Sequence, residues 1–154
     1  MRKGVACYMI FERLTDTVKR IEEIKENIIF LEMRACAPKS GEITGMPKDG
    51  GNASNPIETY LEKKEELEEK LALLSERLKS QWRKAVHLMR LSNVNEQSEY
   101  MMYLRFYKGL PWKQCTLRLK AKYPDGKWNE NKCFREYRNT LIRVRRAQRQ
   151  SECS

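Results

Sequence analysis

Arginine and asparagine side chains recur at helical spacing near the C-terminal end of the chain. Arginine can donate two hydrogen bonds to O6 and N7 of guanine, asparagine can pair with N6 and N7 of adenine, and other basic side chains can neutralise a phosphate. This combination of residue types predicts a surface that recognises DNA. The residues that we expect to contribute to it are Asn131, Lys132, Arg135, Arg138, Asn139, Arg143, Lys113 and Lys127.

The charges of the chain are unevenly distributed. It has 31 Lys and Arg against 21 Asp and Glu, a formal charge of +10. Residues 1–90 hold 17 basic and 15 acidic residues, whereas residues 91–154 hold 14 and 6, a net charge of +8. Such a region favours a polyanionic partner, either nucleic acid or an anionic membrane, although a simply solvated face is the commoner role of a charge run.

Three helices are predicted in residues 92–150, and the last carries most of the candidate residues. The first begins with a capping box formed by Asn93 and Glu96 and ends at Gly109, which suits a left-handed helix end. The second opens at Pro111 and ends before Pro124, because the residue preceding a proline is disfavoured in a helix. The residues of this helix that share one buried face by their spacing are Trp112, Cys115, Thr116 and Leu119.

The third helix is predicted over residues 129–148, with Asn129 as its N-cap. If its apolar arc packs on the second helix, its polar face can enter a major groove. Glu130 and Glu136 lie near that face, so each must point away from phosphates or accept a hydrogen bond from N4 of cytosine. The predicted apolar arc consists of Cys133, Phe134, Tyr137, Leu141 and Val144.

Residues 1–91 are predicted to form a long helical arm. Apolar residues recur at coiled-coil spacing in residues 8–35 and again in residues 56–90, where a helix would be roughly 50 Å long and would need a partner helix. Four glycines and two prolines in the loop 36–55 exclude a continuous helix, and the role of that loop is left open. The predicted fold is therefore all-α, a coiled-coil-like antiparallel hairpin followed by a three-helix module. In each arm helix, the apolar residues form a seam, the line along which the helix would pack on its partner. Three polar residues interrupt these two seams, and they are Thr17, Lys64 and Gln81.

The segment MMYLRFYKGLPWKQCTLRL resembles the first two helices of the region-4-like helix-turn-helix of bacterial sigma factors. In the family pattern, an apolar residue is followed by Tyr-Leu-Arg-Tyr and a Gly, and then by Trp-x-x-Ile-Ala-x-x-Leu; here Cys115 replaces the Ile and Thr116 the Ala. The chain as a whole is similar to phage and prophage proteins of the late-transcription-activator type. The resemblance implies a sequence-specific transcription regulator that binds double-stranded DNA and could contact RNA polymerase through its arm.

One segment departs from the family pattern. AKYPDGKW stands between the second and third helices, where the usual turn has three or four residues. The longer connection could change the angle of the third helix. It could also contact the DNA backbone through Lys122 and Lys127.

Metal binding, catalysis and membrane insertion have little support in the sequence. The five cysteines are scattered without a C-x-x-C pair, and His87 is the single histidine, so no zinc site is expected. No Ser/His/Asp or Cys/His grouping supports an enzyme. No apolar run approaches the roughly 20 residues that cross a bilayer. We expect a cytoplasmic protein with reduced thiols and no cofactor.

Two other functions and one other assembly fit the same sequence. The protein could be an interaction adaptor whose basic module is a non-specific electrostatic anchor, in which case all DNA sequences would bind equally. It could be a small phage DNA-packaging subunit, in which case a ring-sized oligomer would form. A homodimer could form if the seams of two copies pair.

Overall fold

Every element that the structure describes is helical. The computed structural model describes residues 3–36 and 56–153, so the predicted loop 36–55 lies almost wholly outside the described residues. The predicted all-α class is confirmed. The elements are, in chain order, α1 (Lys3–Cys36), α2 (Pro56–Leu91), α3 (Glu96–Met102), a π-helical segment (Tyr103–Tyr107), α4 (Trp112–Lys122), a 3-10 turn (Pro124–Gly126) and α5 (Glu130–Cys153).

The chain packs into two compact units, and α1 and α2 contribute to both. The first unit comprises Met1–Lys19 and Glu76–Ser154, so it joins one end of each arm helix to the three C-terminal helices. The second unit comprises Arg20–Ser75. The largest fully buried side chains belong to the first unit, and they are Leu14, Met89, Met101, Met102, Leu104, Cys115, Leu119, Cys133 and Val144.

The two arm helices pair through the polar members of their seams. In the first unit, the Thr17 hydroxyl donates to Oε1 of Gln81 at 2.9 Å. In the second unit, the Lys64 ammonium lies 3.1 Å from Oε1 of Glu32, and the hydrogen bond to Glu32 raises the pKa of Lys64. The residue numbers rise along α1 as they fall along α2, as in an antiparallel hairpin. The predicted pairing of the two helices is therefore formed within one chain.

Aromatic rings connect the arm helices to the C-terminal helices within the first unit. The Phe11 ring of α1 contacts Phe106 of the π-helical segment, with centroids 5.1 Å apart. Phe106 in turn stacks on Tyr137 of α5 at 5.7 Å. On α2, the Trp82 ring meets Tyr103 at 5.7 Å. Within the first unit, the arm helices are therefore joined to the π-helical segment and, through Phe106, to α5.

The cap of α3 differs from the prediction. Asn95, rather than Asn93, is the N-cap, and its Oδ1 accepts a hydrogen bond from the backbone N–H of Ser98 at 2.8 Å. Asn93 has a φ of 58° in the turn that ends α2, a left-handed conformation that asparagine tolerates. The predicted capping box of Asn93 and Glu96 is therefore wrong, because a second asparagine two residues later has the same capping chemistry.

The turn before α4 lies between the two residues that the sequence predicts as helix boundaries. Gly109 has a φ of 70°, the left-handed conformation expected at this helix end, and α4 begins directly after Pro111. Arg105 secures the turn, since its Nη1 donates to the carbonyl oxygen of Leu110 at 3.1 Å. Its guanidinium carbon also lies 5.1 Å from the centroid of the Trp112 ring. This turn sets the direction of α4, on which α5 packs.

Candidate nucleic-acid interface

The buried face of α4 is the one that its spacing predicts. Cys115, Thr116 and Leu119 are buried, whereas Trp112 is half-buried. The Thr116 hydroxyl lies 3.3 Å from Sγ of Cys133 in the first turns of α5. Burial raises the pKa of the Cys115 thiol to about 11 and also raises the pKa of Cys133. Both thiols therefore stay neutral near pH 7 and contribute packing.

One side of α5 is buried against the rest of the first unit. Thr140, Leu141 and Val144 are buried on this side. Phe134, which was predicted to belong to the same arc, is 42% exposed, and its ring meets the Trp112 ring edge-on at 5.5 Å. The prediction is wrong for the burial of Phe134. This side chain lies on the same side of the helix as Leu141, seven residues later, but its ring packs against the half-buried Trp112 and stays partly exposed.

The opposite side of α5 carries a row of exposed residues that we name the arginine stripe. Its members are three, four or eight residues apart, and these steps keep them on one side of the helix, where the exposed Ile142 lies between Arg138 and Arg146. None of its guanidinium groups has a carboxylate within ion-pairing distance among the described residues. Its cations are therefore available to an external anion. The members of the arginine stripe are Asn131, Arg135, Arg138, Arg146 and Arg149.

Asn139 and Arg143 are also exposed, but they lie beside the arginine stripe. Both line a small crevice against the start of α3. Arg143 donates from Nη1 to the carbonyl oxygen of Asn93 at 3.4 Å. Glu136 lines the same crevice and accepts a hydrogen bond from the Ser98 hydroxyl at 3.4 Å. The Glu136 carboxylate is thus turned toward α3, as a DNA-binding surface on α5 would require.

Lys132, which the sequence placed among the DNA-reading residues, has a different contact. Its ammonium donates to the carbonyl oxygen of Gly126 and lies 4.5 Å from the centroid of the Trp128 ring. Trp128 is buried, and its indole N–H donates to Oε1 of Gln97 at 2.9 Å. Lys132 turns back over the preceding loop because a carbonyl oxygen and a ring face lie within its reach. We therefore leave it out of the surface proposed below.

The long connection between α4 and α5 is a braced turn. Asn129 caps α5 as predicted, since its Oδ1 accepts the backbone N–H of Lys132 at 2.7 Å. Gly126 lies so close to Trp128 that a Cβ at this position would be 2.8 Å from two ring atoms. Lys127 follows with a φ of 54° and an exposed side chain. These contacts fix the point at which α5 begins.

The three candidate cations outside α5 have different surroundings. Lys113 is exposed in the first turn of α4, and Lys127 is exposed in the braced turn. The Lys122 ammonium lies 4.1 Å from the centroid of the Tyr100 ring. Lys113 and Lys127 are therefore the two that remain candidates for phosphate contacts near α5.

Charge is divided more sharply between the two units than between the two ends of the sequence. The first unit contains 23 basic and 9 acidic residues, a net charge of +14. The second unit contains 8 basic and 12 acidic residues, a net charge of −4. The arginine stripe belongs to the first unit, so it lies in the strongly positive part of the molecule.

Two residues that position the interface were missed by the sequence reasoning. Arg105 lies in the π-helical segment, and no spacing rule connects it to the Leu110 carbonyl that it binds. Gln97 has no sequence signal at all, because its bond to Trp128 joins positions 31 residues apart. The contact of Gln97 becomes visible only when the helices are packed.

The described residues contain neither a metal-binding cluster nor a membrane-spanning helix. No group of three or more His, Cys, Asp or Glu side chains that could hold a metal ion occurs in the described part of the chain. Within residues 3–36 and 56–153, no helix is both long enough and apolar enough to cross a membrane. Comparisons with family models, with curated proteins and with solved structures found no match to this chain.

Proposed function

We propose that the protein is a sequence-specific DNA-binding transcription regulator of the phage or prophage type, and that it places α5 in the major groove of double-stranded DNA. The observation that carries this proposal is the arginine stripe, whose cations have no carboxylate partner in the described residues. The other side of the same helix is buried. A helix held in this way by a preceding helix and turn is the arrangement with which helix-turn-helix proteins reach base edges.

The length of α5 divides the proposed contacts into two groups. Its 24 residues span about 36 Å, whereas the major groove is about 12 Å wide. Asn131, Arg135 and Arg138 lie nearest the braced turn and would contact bases. Arg146 and Arg149 lie two to four turns further along and would contact phosphates.

Residues outside the arginine stripe would orient the protein on the duplex. Lys113 is exposed in the first turn of α4, Lys127 is exposed just before α5, and both would neutralise phosphates. The second unit is net negative and would not approach DNA, which leaves it available for a protein such as RNA polymerase. The proposed function includes the cytoplasmic location that is expected from the sequence.

Binding-site selection from random duplex DNA, followed by mobility-shift titration, tests the proposal. Arg135→Ala and Arg138→Ala should each reduce discrimination at one base position by about 5- to 150-fold, the loss of one bidentate contact. Arg146→Ala combined with Arg149→Ala should weaken all duplexes alike. That double variant should also reduce the slope of log affinity against log salt by about 2, because two phosphate contacts are lost.

The second unit supplies a matched control. Lys25→Ala removes an exposed cation of the second unit and should leave both affinity and salt slope unchanged. No duplex binding at low salt would reject the proposal. Binding without any selected sequence would instead favour the adaptor with an electrostatic anchor, and a ring-sized oligomer would favour the packaging subunit.

A further inference from the structure

A pocket of about 450 Å³ lies in the first unit where the ends of α2 and α4 meet α3, and no residue of α5 lines it. We call it the tyrosine pocket. Its aromatic side chains are half-buried, so part of each ring remains accessible. The rings that line it are Trp82, Tyr100, Tyr103 and Tyr123.

Three tyrosine rings form a stack, and a fourth tyrosine ring stands nearly perpendicular to it. Tyr100 and Tyr103 stack with centroids 6.3 Å apart and planes at 19°, and Tyr107 extends this stack beyond the pocket at 5.3 Å from Tyr103. Tyr123 stands at 77° to Tyr100 with centroids 6.0 Å apart. Trp82 meets Tyr103 edge-on. A flat aromatic ligand can stack on the accessible ring surface, as bases do on tyrosines of single-strand-binding proteins.

Charged groups and an unsatisfied hydroxyl surround the rings. The Lys122 ammonium lies 4.1 Å from the centroid of Tyr100. The Arg90 guanidinium lies 3.5 Å from the Glu99 carboxylate and offsets its charge. The hydroxyl of Tyr123 is buried and has no hydrogen-bond partner in the described part of the chain. Buried polar groups are seldom left in this state.

The charged side chains of the pocket distinguish between a cationic ligand and a nucleotide. Aromatic pockets can bind cations, but Lys122 already places an ammonium over one ring, and the Lys108 ammonium lies 5.8 Å from the centroid of Tyr103. A further cation would be repelled by both. A nucleotide fits better, because its base can stack while its phosphate attracts Lys122, which has no carboxylate within ion-pairing distance among the described residues. Glu96 lines the pocket without an ion pair among the described residues and can accept a hydrogen bond from a base amine.

We propose that the tyrosine pocket binds an unpaired nucleotide of single-stranded DNA. The base stacks on Tyr100, and the exposed Lys122 side chain moves from the ring to the phosphate. This site is separate from the arginine stripe, since no residue of α5 lines the pocket. It therefore does not depend on the recognition of duplex DNA proposed above.

Fluorescence anisotropy with a labelled oligothymidylate of about 12 nucleotides tests the proposal. Tyr100→Leu should weaken binding by about 5- to 150-fold, the loss of one stack between base and ring. Lys122→Ala should also weaken binding and should lower the salt slope by about 0.7, the value for one contact to a single strand. The duplex affinity of Tyr100→Leu should be unchanged, so failure here is distinguishable from failure of the proposed function.

Tyr107→Leu is the matched control, because it removes a half-buried tyrosine of the same stack that does not line the pocket. It should bind the oligonucleotide as the original protein does, and circular dichroism should show that all variants are folded. Unchanged binding by both Tyr100→Leu and Lys122→Ala would overturn the proposal. Thymidine monophosphate binding as tightly as the oligonucleotide would assign the pocket to a free nucleotide instead. Loss of oligonucleotide binding in the Arg135→Ala, Arg138→Ala double variant would place the strand on α5 and overturn it.

Discussion

The Lys132 ammonium stabilises the loop that fixes the start of α5. Lys132→Met keeps the apolar stem but removes the bond to the Gly126 carbonyl and the charge over the Trp128 ring. The free energy of unfolding should fall by about 1–2 kcal/mol. Urea unfolding measures the change. Arg135→Met is the control at an exposed position of the same helix, and its effect should stay within about 0.5 kcal/mol. Equal stability of the two variants would show that the Lys132 contact contributes nothing.

The Cys115 thiol gives the stability of the protein a pH dependence in the alkaline range. Burial raises the pKa of this thiol from 9.0 to about 11, so the folded chain holds the proton more tightly than the unfolded chain. The resulting stabilisation is complete below pH 9.0 and is lost as the pH rises toward 11. Urea unfolding at several pH values within this window should show a shallower decline for Cys115→Ala than for the original protein. Parallel declines would contradict the assignment.

Cysteine labelling provides an independent check on the buried thiols. Cys36 is exposed, whereas Cys115 and Cys133 are buried. In the folded protein, iodoacetamide should modify Cys36 while leaving the two buried thiols unmodified, because a neutral buried thiol is a poor nucleophile. Mass spectrometry of the labelled peptides identifies the sites. Labelling of Cys133 at the rate of Cys36 would show that the contact between α4 and α5 opens readily.

At the scale of elements, the polar residues of the arm seams act as a pair. Thr17→Val leaves Gln81 Oε1 without its donor, so it should lower the free energy of unfolding by about 1 kcal/mol. Thr17→Val combined with Gln81→Leu removes both partners and should recover most of that loss. Thermal unfolding of the two single variants and the double variant gives the coupling, expected at about 0.5–1.5 kcal/mol. Additive effects would mean that the two side chains do not interact.

The sequence predicted the ends of elements better than the contacts between them. Gly109 and Pro111 act on their own backbone, so their effect on the turn before α4 needs no tertiary information. Asn129 was identified as a cap for the same local reason, whereas Asn93 failed because Asn95 competes with it. Each of these outcomes was decided within a few residues of chain.

Contacts that join distant segments could not be read from spacing. The tyrosine pocket needs Trp82 beside Tyr103, and nothing in the helical pattern fixes which faces of α2 and the π-helical segment meet. The position of Lys132 in the helix likewise suggested a solvent-facing cation, but the loop beside it offered a closer partner. Three members of the arginine stripe, Asn131, Arg135 and Arg138, were easier to predict, because they point outward on one helix and depend on no second element.

At the scale of the whole molecule, the separation of charge predicts which unit a DNA duplex would contact under the proposed function. A duplex carries about one negative charge per 1.7 Å of its axis, so it is attracted to the first unit at +14 and repelled by the second unit at −4. At an ionic strength of about 0.1 M, salt screens these interactions beyond about 10 Å. The second unit therefore adds no attraction to a duplex bound at the first unit. A bound duplex should therefore cover lysines of the first unit alone.

Lysine acetylation with and without a selected duplex tests this separation of charge. At a duplex concentration about ten times its Kd, the reactivity of Lys113 and Lys127 should fall by about tenfold, because only the free fraction of the protein reacts. The exposed Lys63 and Lys70 of the second unit should react as they do without DNA. Mass spectrometry compares all four sites in one sample, so each lysine of the second unit is an internal control. Equal protection of both units would mean that the duplex runs along the arm, and charge separation would then not determine where DNA binds.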